Sequence, residues 1–448
     1  MKSDRQAGQE SKGQNQQSQL EITAGLLYQH LQRLLTAQHL AVMRPVILGV
    51  LAHRLVEITS GRLRMAKPRP WKLYREVKRL SHQLMQAPAR LWWRLTFRHY
   101  YDHVLAKKIR KTEGALSAGP DVAIYLIYPN HGLQQSHIHA LDEMRAAGVC
   151  PIVVANVPLS DNDREQLRTK AFRILERPNE GYDFGGYRDG ILSLEAMFPD
   201  LQRLWLFNDS IWFVPQPLNW FEQARAMGKD YVAATSSCGL ERIDPERFRD
   251  ISGVFSTNSR RFHYASYALC IGPAILRDPR FFAFWQNYNL TNNKHLTVRR
   301  GERGLTRWVV SNGFTHGATF EIDQFASEIK GMSDQEVDRI ARELIIFDNA
   351  ILEKARKDVL QLDPSSEAGR KDRLSLILAV TSRCAPAYAL PGYSLRHRGF
   401  QFIKKSPLWH EQSSARIQMD ILDRLEGAIG DDIRNEAATL LRSPEPTA

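Results

Sequence analysis

Asp121-Val-Ala-Ile-Tyr-Leu-Ile-Tyr128 is a short apolar run of strand-forming residues, and the alternation it begins decides the fold. Leu133 to Ala147 has helical spacing and stops at Gly148. Cys150 to Val157 is a second apolar run, and Ser160 stands where it can cap a helix reaching about Lys170. Phe172 to Glu176 and Leu201 to Phe207 read as a third and a fourth strand. Strands alternating with helices at this spacing predict an α/β domain, a mainly parallel sheet flanked by helices. Ligands in such sheets bind beyond the carboxyl ends of the strands. The loops after Tyr128, Glu176 and Phe207 are therefore where function is expected.

The loop after the third strand reads Arg177-Pro-Asn-Glu-Gly-Tyr-Asp-Phe-Gly-Gly-Tyr-Arg-Asp-Gly190. Gly181, Gly185 and Gly186 permit tight turns and close approach of the backbone to a ligand. A helix starting near Tyr187 would offer free N–H groups to a diphosphate. Asn179 and Asp183 suit a base, ribose or sugar hydroxyl. A glycine-rich turn with Asp183 as a helix cap accounts for the same residues. The spacing is neither that of a dinucleotide fingerprint nor that of a Walker loop. The fourth strand ends in Asn208-Asp209-Ser210. A carboxylate at the exposed end of a buried strand can hold a divalent cation or a donor sugar, and an Asx turn is the plain alternative.

The chain has 448 residues, more than one core usually organises, and its 43% hydrophobic and 25% charged residues match a soluble globular protein. Cys150, Cys238, Cys270 and Cys384 are too scattered for a zinc site. Charge is uneven: Arg62 to Lys111 carries fifteen Lys or Arg against Glu76 and Asp102, a local excess of 13, in a chain whose net charge is +12. Trp71, Tyr74, Trp92, Trp93, Phe97, Tyr100 and Tyr101 are interleaved with the basic residues. Such a stretch suits an anionic membrane surface, a helical arm packed through its aromatics, or nucleic acid. No apolar segment follows the initial Met-Lys, and Pro45 to Ala52 is far too short to span a bilayer. The expected location is the cytoplasm, peripheral at the inner face of the membrane.

The order of these motifs resembles the rhamnan synthesis protein F family of bacterial polysaccharide enzymes. The Asn-x-Gly-x-Asp-x-Gly-Gly loop and the Asn-Asp-Ser strand end followed by Ile211-Trp-Phe-Val-Pro215 carry the resemblance. Further matches are His263-Tyr-Ala-Ser-Tyr-Ala-Leu269, Phe281-Phe-Ala-Phe-Trp285 and Gly301-Glu-Arg-Gly-Leu-Thr306. It extends from Asp121 to Phe320, with a weaker echo over Tyr393 to Leu408 that includes Arg398-Gly-Phe-Gln-Phe-Ile-Lys-Lys405. The resemblance implies a GT-A-like fold. It also implies transfer of a deoxyhexose, typically rhamnose, from a nucleotide-sugar donor to a lipid-linked cell-surface polysaccharide or lipopolysaccharide acceptor.

The resemblance places the metal or diphosphate motif at Asn208-Asp209-Ser210. Asp209 is its lone carboxylate, so a divalent cation, Mg²⁺ or Mn²⁺, would rest on Asp209 and the substrate phosphates. Asp183, His263, Arg299 and Arg300 are the remaining candidate donor contacts. For an inverting transfer the candidate general base is Glu302, at the start of an apparent helix over Leu305 to Asn312, with a capping glutamate as the alternative. Leaving-group charge would be met by a cation, the helix near Tyr187, or Arg299 and Arg300. The expected organisation is a polar tail over 1–20, a basic helical arm over 21–118, the nucleotide-sugar domain over 119–325 and a helical C-terminal region over 326–448. In that last region Ser333 or Asp334 would cap a helix over Gln335 to Phe347, with another near Asp372 to Val380. A non-catalytic scaffold of a polysaccharide assembly complex is the main rival. No nucleic-acid partner is expected, because nucleic-acid binding would leave the Asn-x-Gly-x-Asp loop and the Asn-Asp-Ser strand end unexplained.

Overall fold

The structure, a computed structural model, describes residues 96–442. The polar tail, Pro45 to Ala52 and the basic stretch up to residue 95 lie outside the described residues. Eleven strands are present among those described: β1 (Arg110–Glu113), β2 (Asp121–Ile127), β3 (Cys150–Ala155), β4 (Arg173–Glu176), β5 (Arg203–Asn208), β6 (Ile211–Phe213), β7 (Tyr231–Ser237), β8 (His263–Tyr264), β9 (Ala268–Ile271), β10 (His316–Phe320) and β11 (Phe402–Lys404). Nine of them form one mixed sheet in the order β1-β4-β3-β2-β5-β9-β7-β10, with β8 paired to β7. Neighbours β4, β3, β2 and β5 run parallel, as do β7 and β10, whereas β1, β8 and β9 are antiparallel to their partners.

The sheet is buried on both faces, which is why its strands read as continuous apolar runs. Along β2, Val122, Ile124 and Leu126 enter one core cluster while Ala123, Tyr125 and Ile127 enter the other, as strand alternation requires. Helix α1 (Gln135–Ala146) covers the second face through Ala140, Leu141 and Met144. Helix α2 (Asp161–Arg168) follows β3, and Ser160 caps it by accepting the N–H of Asp163 at 3.1 Å. Helix α3 (Tyr182–Leu192) covers the first face through Phe184, Tyr187 and Ile191.

Three expectations change. Residues 110–113, assigned to the arm, are strand β1, antiparallel to β4 at the sheet edge. The described end of the basic stretch also turns Phe97 and Tyr101 inward, with Tyr101 fully buried, its hydroxyl bonded to Asp189 and receiving Nη2 of Arg177 at 2.9 Å. Helix α3 begins at Tyr182, not near Tyr187, so Gly185 and Gly186 lie inside it. The C-terminal region is not wholly helical: β11 pairs with β6 in a separate two-stranded sheet.

That C-terminal region packs on the α1 face. Helix α4 (Asp334–Arg342), capped by Ser333, and α5 (Glu367–Thr381) supply Val337, Ile340, Leu376 and Ile377 to the same core as α1. Helix α6 (Gly427–Arg442) buries Ile433 and Ala437 beside Trp212 of β6 and Ile403 of β11.

Candidate active site

The Asn-Asp-Ser strand end is built by the central strands. Strand β5 runs parallel to β2 with Asn208 opposite Leu126, and the main-chain N–H of Asp209 continues the ladder to the carbonyl of Leu126 at 3.0 Å. The Asp209 carboxylate accepts the N–H of Tyr128 at 2.6 Å and lies 3.5 Å from Nε2 of His137. Nδ1 of His137 accepts the N–H of Gln134 at 3.0 Å, which leaves the ring proton on Nε2, facing Asp209. Burial pushes the Asp209 carboxyl up. The hydrogen bond from His137, the Lys405 charge and the Tyr128 N–H outweigh it, and its pKa lies below the ordinary value.

Asn208 ties this strand end to the first turn of α3. Its amide donates to the Asp183 carboxylate at 2.9 Å, and its Oδ1 accepts the Ser210 hydroxyl. Asp183 is not a helix cap: the residue before α3 is Gly181, at φ +80°, and Asp183 lies in the first turn. Burial raises the Asp183 pKa to about 6; the charges of Asp209 and Glu302 add to that, against Lys404 and Lys294.

The glycines of this loop serve packing. Gly181 occupies the left-handed region, and its N–H goes to Oδ1 of Asn292 at 2.7 Å. A Cβ on Gly185 would meet the carbonyl of Glu180, so this glycine lets the preceding loop fold back on α3, and one on Gly186 would meet the side chain of Leu126, so that glycine lets α3 lie close on β2. The N–H of Gly185 is bonded to the carbonyl of Gly181 at 2.9 Å. Asn179 is exposed. Arg177 turns inward to Asp189 at 2.6 Å and Asn156 at 2.7 Å.

Glu302 is the first residue of α7 (Glu302–Ser311), which starts earlier than Leu305. Its carboxylate accepts the Ser266 hydroxyl at 2.9 Å and lies 3.2 Å from Nε2 of His263. Nδ1 of His263 lies 2.7 Å from the carbonyl of Arg261, so both ring nitrogens face acceptors. Burial raises the Glu302 carboxyl, but His263, Ser266 and the Lys404 charge together bring its pKa below the ordinary value. Arg299 is exposed, and Nη1 of Arg300 donates to the carbonyl of Asn289 at 3.0 Å.

Two contributors are not among the candidate site residues read from the sequence. His137 sits in a stretch that reads simply as a helix. Lys404 belongs to the C-terminal segment, and its ammonium donates to Oγ of Ser210 at 2.7 Å. Burial lowers the Lys404 pKa to about 8, against the charges of Asp183, Glu302 and Asp209. The arrangement therefore gathers three carboxylates, one ammonium and two imidazoles at one end of the sheet. No group of three His, Cys, Asp or Glu side chains able to hold a metal ion occurs among the described residues. A divalent cation would have Asp209 as its protein ligand and would need substrate oxygens to complete its shell.

Residues 151–348 match the rhamnan synthesis protein F family model. The matched region contains Asp183, Asn208, Asp209, His263 and Glu302, and it leaves out His137 and Lys404. An uncharacterized protein, y4gN, of Sinorhizobium fredii is 34% identical over 247 residues, which cover 54% of this chain. The chain spans 59% of the length of that relative. Among solved structures, a mannosyltransferase from Pyrobaculum calidifontis in complex with GDP-Man and Mn²⁺ aligns at 10% identity, covering 80% of this chain and 91% of its own. Its TM-score is 0.27, a likeness too slight to bear on chemistry.

Proposed function

We propose that the protein is a glycosyltransferase with a GT-A-like domain. In this reading it moves a sugar, rhamnose or a related deoxyhexose, from a nucleotide donor to a lipid-linked cell-surface polysaccharide or lipopolysaccharide acceptor. One observation carries the reading. Asp183, bonded by Asn208 to the strand end that carries Asp209, feels the charges of both Asp209 and Glu302, so three carboxylates from separate segments of the family-matched region meet at the carboxyl end of a mostly parallel sheet, where α/β folds bind ligands.

In this reading the donor diphosphate lies beyond β2 and β5, near Asp183, Asn208 and Asp209. Gly181, Gly185 and Gly186 shape the α3 end of the site. Glu302, with its pKa held low, is ionised at neutral pH and accepts the acceptor hydroxyl's proton in an inverting transfer, with His263 and Ser266 orienting it. Mg²⁺ or Mn²⁺, where used, would bind Asp209 and diphosphate oxygens and supply charge stabilisation. Asn179, Arg299 and Arg300 are peripheral donor contacts. Incubating the purified chain with a panel of nucleotide sugars, and reading both donor hydrolysis and transfer, tests the assignment. A chain that neither binds nor turns over any of them would be a scaffold.

The basic stretch from Arg62 to Lys111 is proposed to hold the protein on an anionic membrane surface. No helix among the described residues is long and apolar enough to cross a membrane. Lys107, Lys108, Arg110 and Lys111 are exposed, and each basic group near a lipid surface contributes about 1 kcal/mol. Sedimentation with phosphatidylserine vesicles should lose the protein when several of the Lys and Arg are exchanged for Gln. Binding that ignores both the exchange and added salt would count against it.

A further inference from the structure

The Asn-Asp-Ser strand end presents one carboxylate between two neutral residues, and both neutral side chains are already engaged. Asn208 gives its amide to Asp183 and takes the Ser210 hydroxyl on Oδ1. Ser210 in turn accepts the Lys404 ammonium. A continuous relay therefore runs from Lys404 through Ser210 and Asn208 to Asp183. It joins segments far apart in the chain at the position where a divalent cation would otherwise need carboxylates.

Lys404 is not there by side-chain chance. Strand β11 is antiparallel to β6 with Lys404 opposite Ile211, and the N–H of Lys405 bonds the carbonyl of Ser210 at 2.9 Å, so strand register sets Lys404 beside Ser210. The ammonium lies 4.4 Å from the centre of the Tyr267 ring and 5.2 Å from that of Tyr388, which hold a cation on their faces. Lys404 is 5% exposed, so its charge is little screened. One of its three N–H groups goes to Ser210, and an ammonium can still donate to ligand oxygens.

We propose that Lys404 is the cation for a diphosphate at this site, in place of a divalent metal ion. The inference rests on the glycosyltransferase reading and deepens it. As the bond from sugar C1 to the diphosphate oxygen breaks, its electron pair stays on that oxygen and Lys404 meets the charge. The acceptor oxygen bonds to C1 and its proton passes to Glu302. Asp209, held by His137 and the Tyr128 N–H, faces the sugar rather than a metal.

The test is the binding of inorganic pyrophosphate to the full chain, by calorimetry, in EDTA and again in MgCl₂ or MnCl₂. Wild type is expected to bind in EDTA with metal adding little. Lys404→Met, which keeps the stem, should weaken binding about 10- to 100-fold, the loss of one charged hydrogen-bonding group. Ser210→Ala, which removes the hydroxyl aiming the ammonium and leaves the charge, should weaken it less and guards against a misfolded Lys404→Met. Pyrophosphate bound only with metal, or bound equally well by Lys404→Met, overturns the inference. A nucleotide-sugar arm separates the two claims. Metal-dependent turnover of a nucleotide sugar keeps the glycosyltransferase and removes Lys404, whereas a chain binding neither pyrophosphate nor any nucleotide sugar removes both.

Discussion

The carboxylate of Glu302 lies 3.2 Å from Nε2 of His263, a residue whose other ring nitrogen is committed to the carbonyl of Arg261. The pair joins the start of α7 to strand β8 and orients a carboxylate that is ionised at neutral pH. Glu302→Gln keeps the shape and the Ser266 bond but cannot take a proton. If Glu302 is the base, turnover should fall about 10²- to 10⁴-fold with donor affinity unchanged. A modest loss of melting temperature at pH 7 is also expected. The folded-state pKa is depressed, so the ionised group contributes stability that is present above its unfolded value and lost as pH falls through the folded one. The difference between variant and wild type should therefore close in acid. Transfer near the wild-type rate would leave Glu302 a structural residue and make Asp183 the next candidate.

Asp209 holds the N–H of Tyr128 as well as facing the site, so its two roles separate by choice of substitution. Asp209→Asn retains an acceptor for that N–H and should abolish transfer with the fold intact. Asp209→Ala should do the same and in addition lose about 1 to 3 kcal/mol, because the Tyr128 N–H is left without its partner. Urea unfolding of both variants alongside a transfer assay checks this. Wild-type turnover in folded Asp209→Asn would remove Asp209 from the chemistry.

The features legible in the sequence are the local ones. The β2 run, the Ser160 cap and the Asn-Asp-Ser strand end are each written in a few adjacent residues, and all three stand where their patterns place them. The start of α3 is harder to read because glycine is a poor helix former, so Gly185 and Gly186 suggest a loop. Packing against Leu126 overrides that preference. Lys404 is illegible for another reason. Its place beside Ser210 depends on the β6–β11 pairing, a contact across 194 positions, and nothing near residue 404 announces its partner. His137 is similar: a polar residue on a half-buried helix has no local mark showing that Asp209 is opposite.

Asp183 predicts a pH dependence of opposite sign to that of Glu302. Its folded pKa is raised to about 6, so between the ordinary value near 4 and about 6 the folded state binds more protons than the unfolded one. Stability from this group is full below about pH 4 and is lost as pH rises through about 6. Asp183→Asn, which keeps an acceptor for the Asn208 amide, should remove that decline and be the more stable protein at pH 7. Melting curves from pH 4 to 7 measure it, and parallel profiles for the two proteins would refute the assignment.

Beside the proposed cation, Lys405 points away from Lys404 into a buried ion pair with Glu436 of α6 at 2.6 Å, with Ser136 of α1 at 3.2 Å, and both charged side chains are under 10% exposed. Removing one partner strands the other charge out of water, so Glu436→Leu alone should cost about 3 to 5 kcal/mol. Replacing both, as Lys405→Met with Glu436→Leu, leaves an apolar contact beside Trp212 and should recover most of that loss. The comparison also tells what positions Lys404. If the β6–β11 register does so, the double variant binds pyrophosphate as wild type does. If the buried ion pair does so, it refolds to near wild-type stability yet binds pyrophosphate weakly. Chemical unfolding and calorimetry on the single and double variants decide the matter, and a double variant no more stable than Glu436→Leu would show that the pair itself holds the C-terminal region to α1.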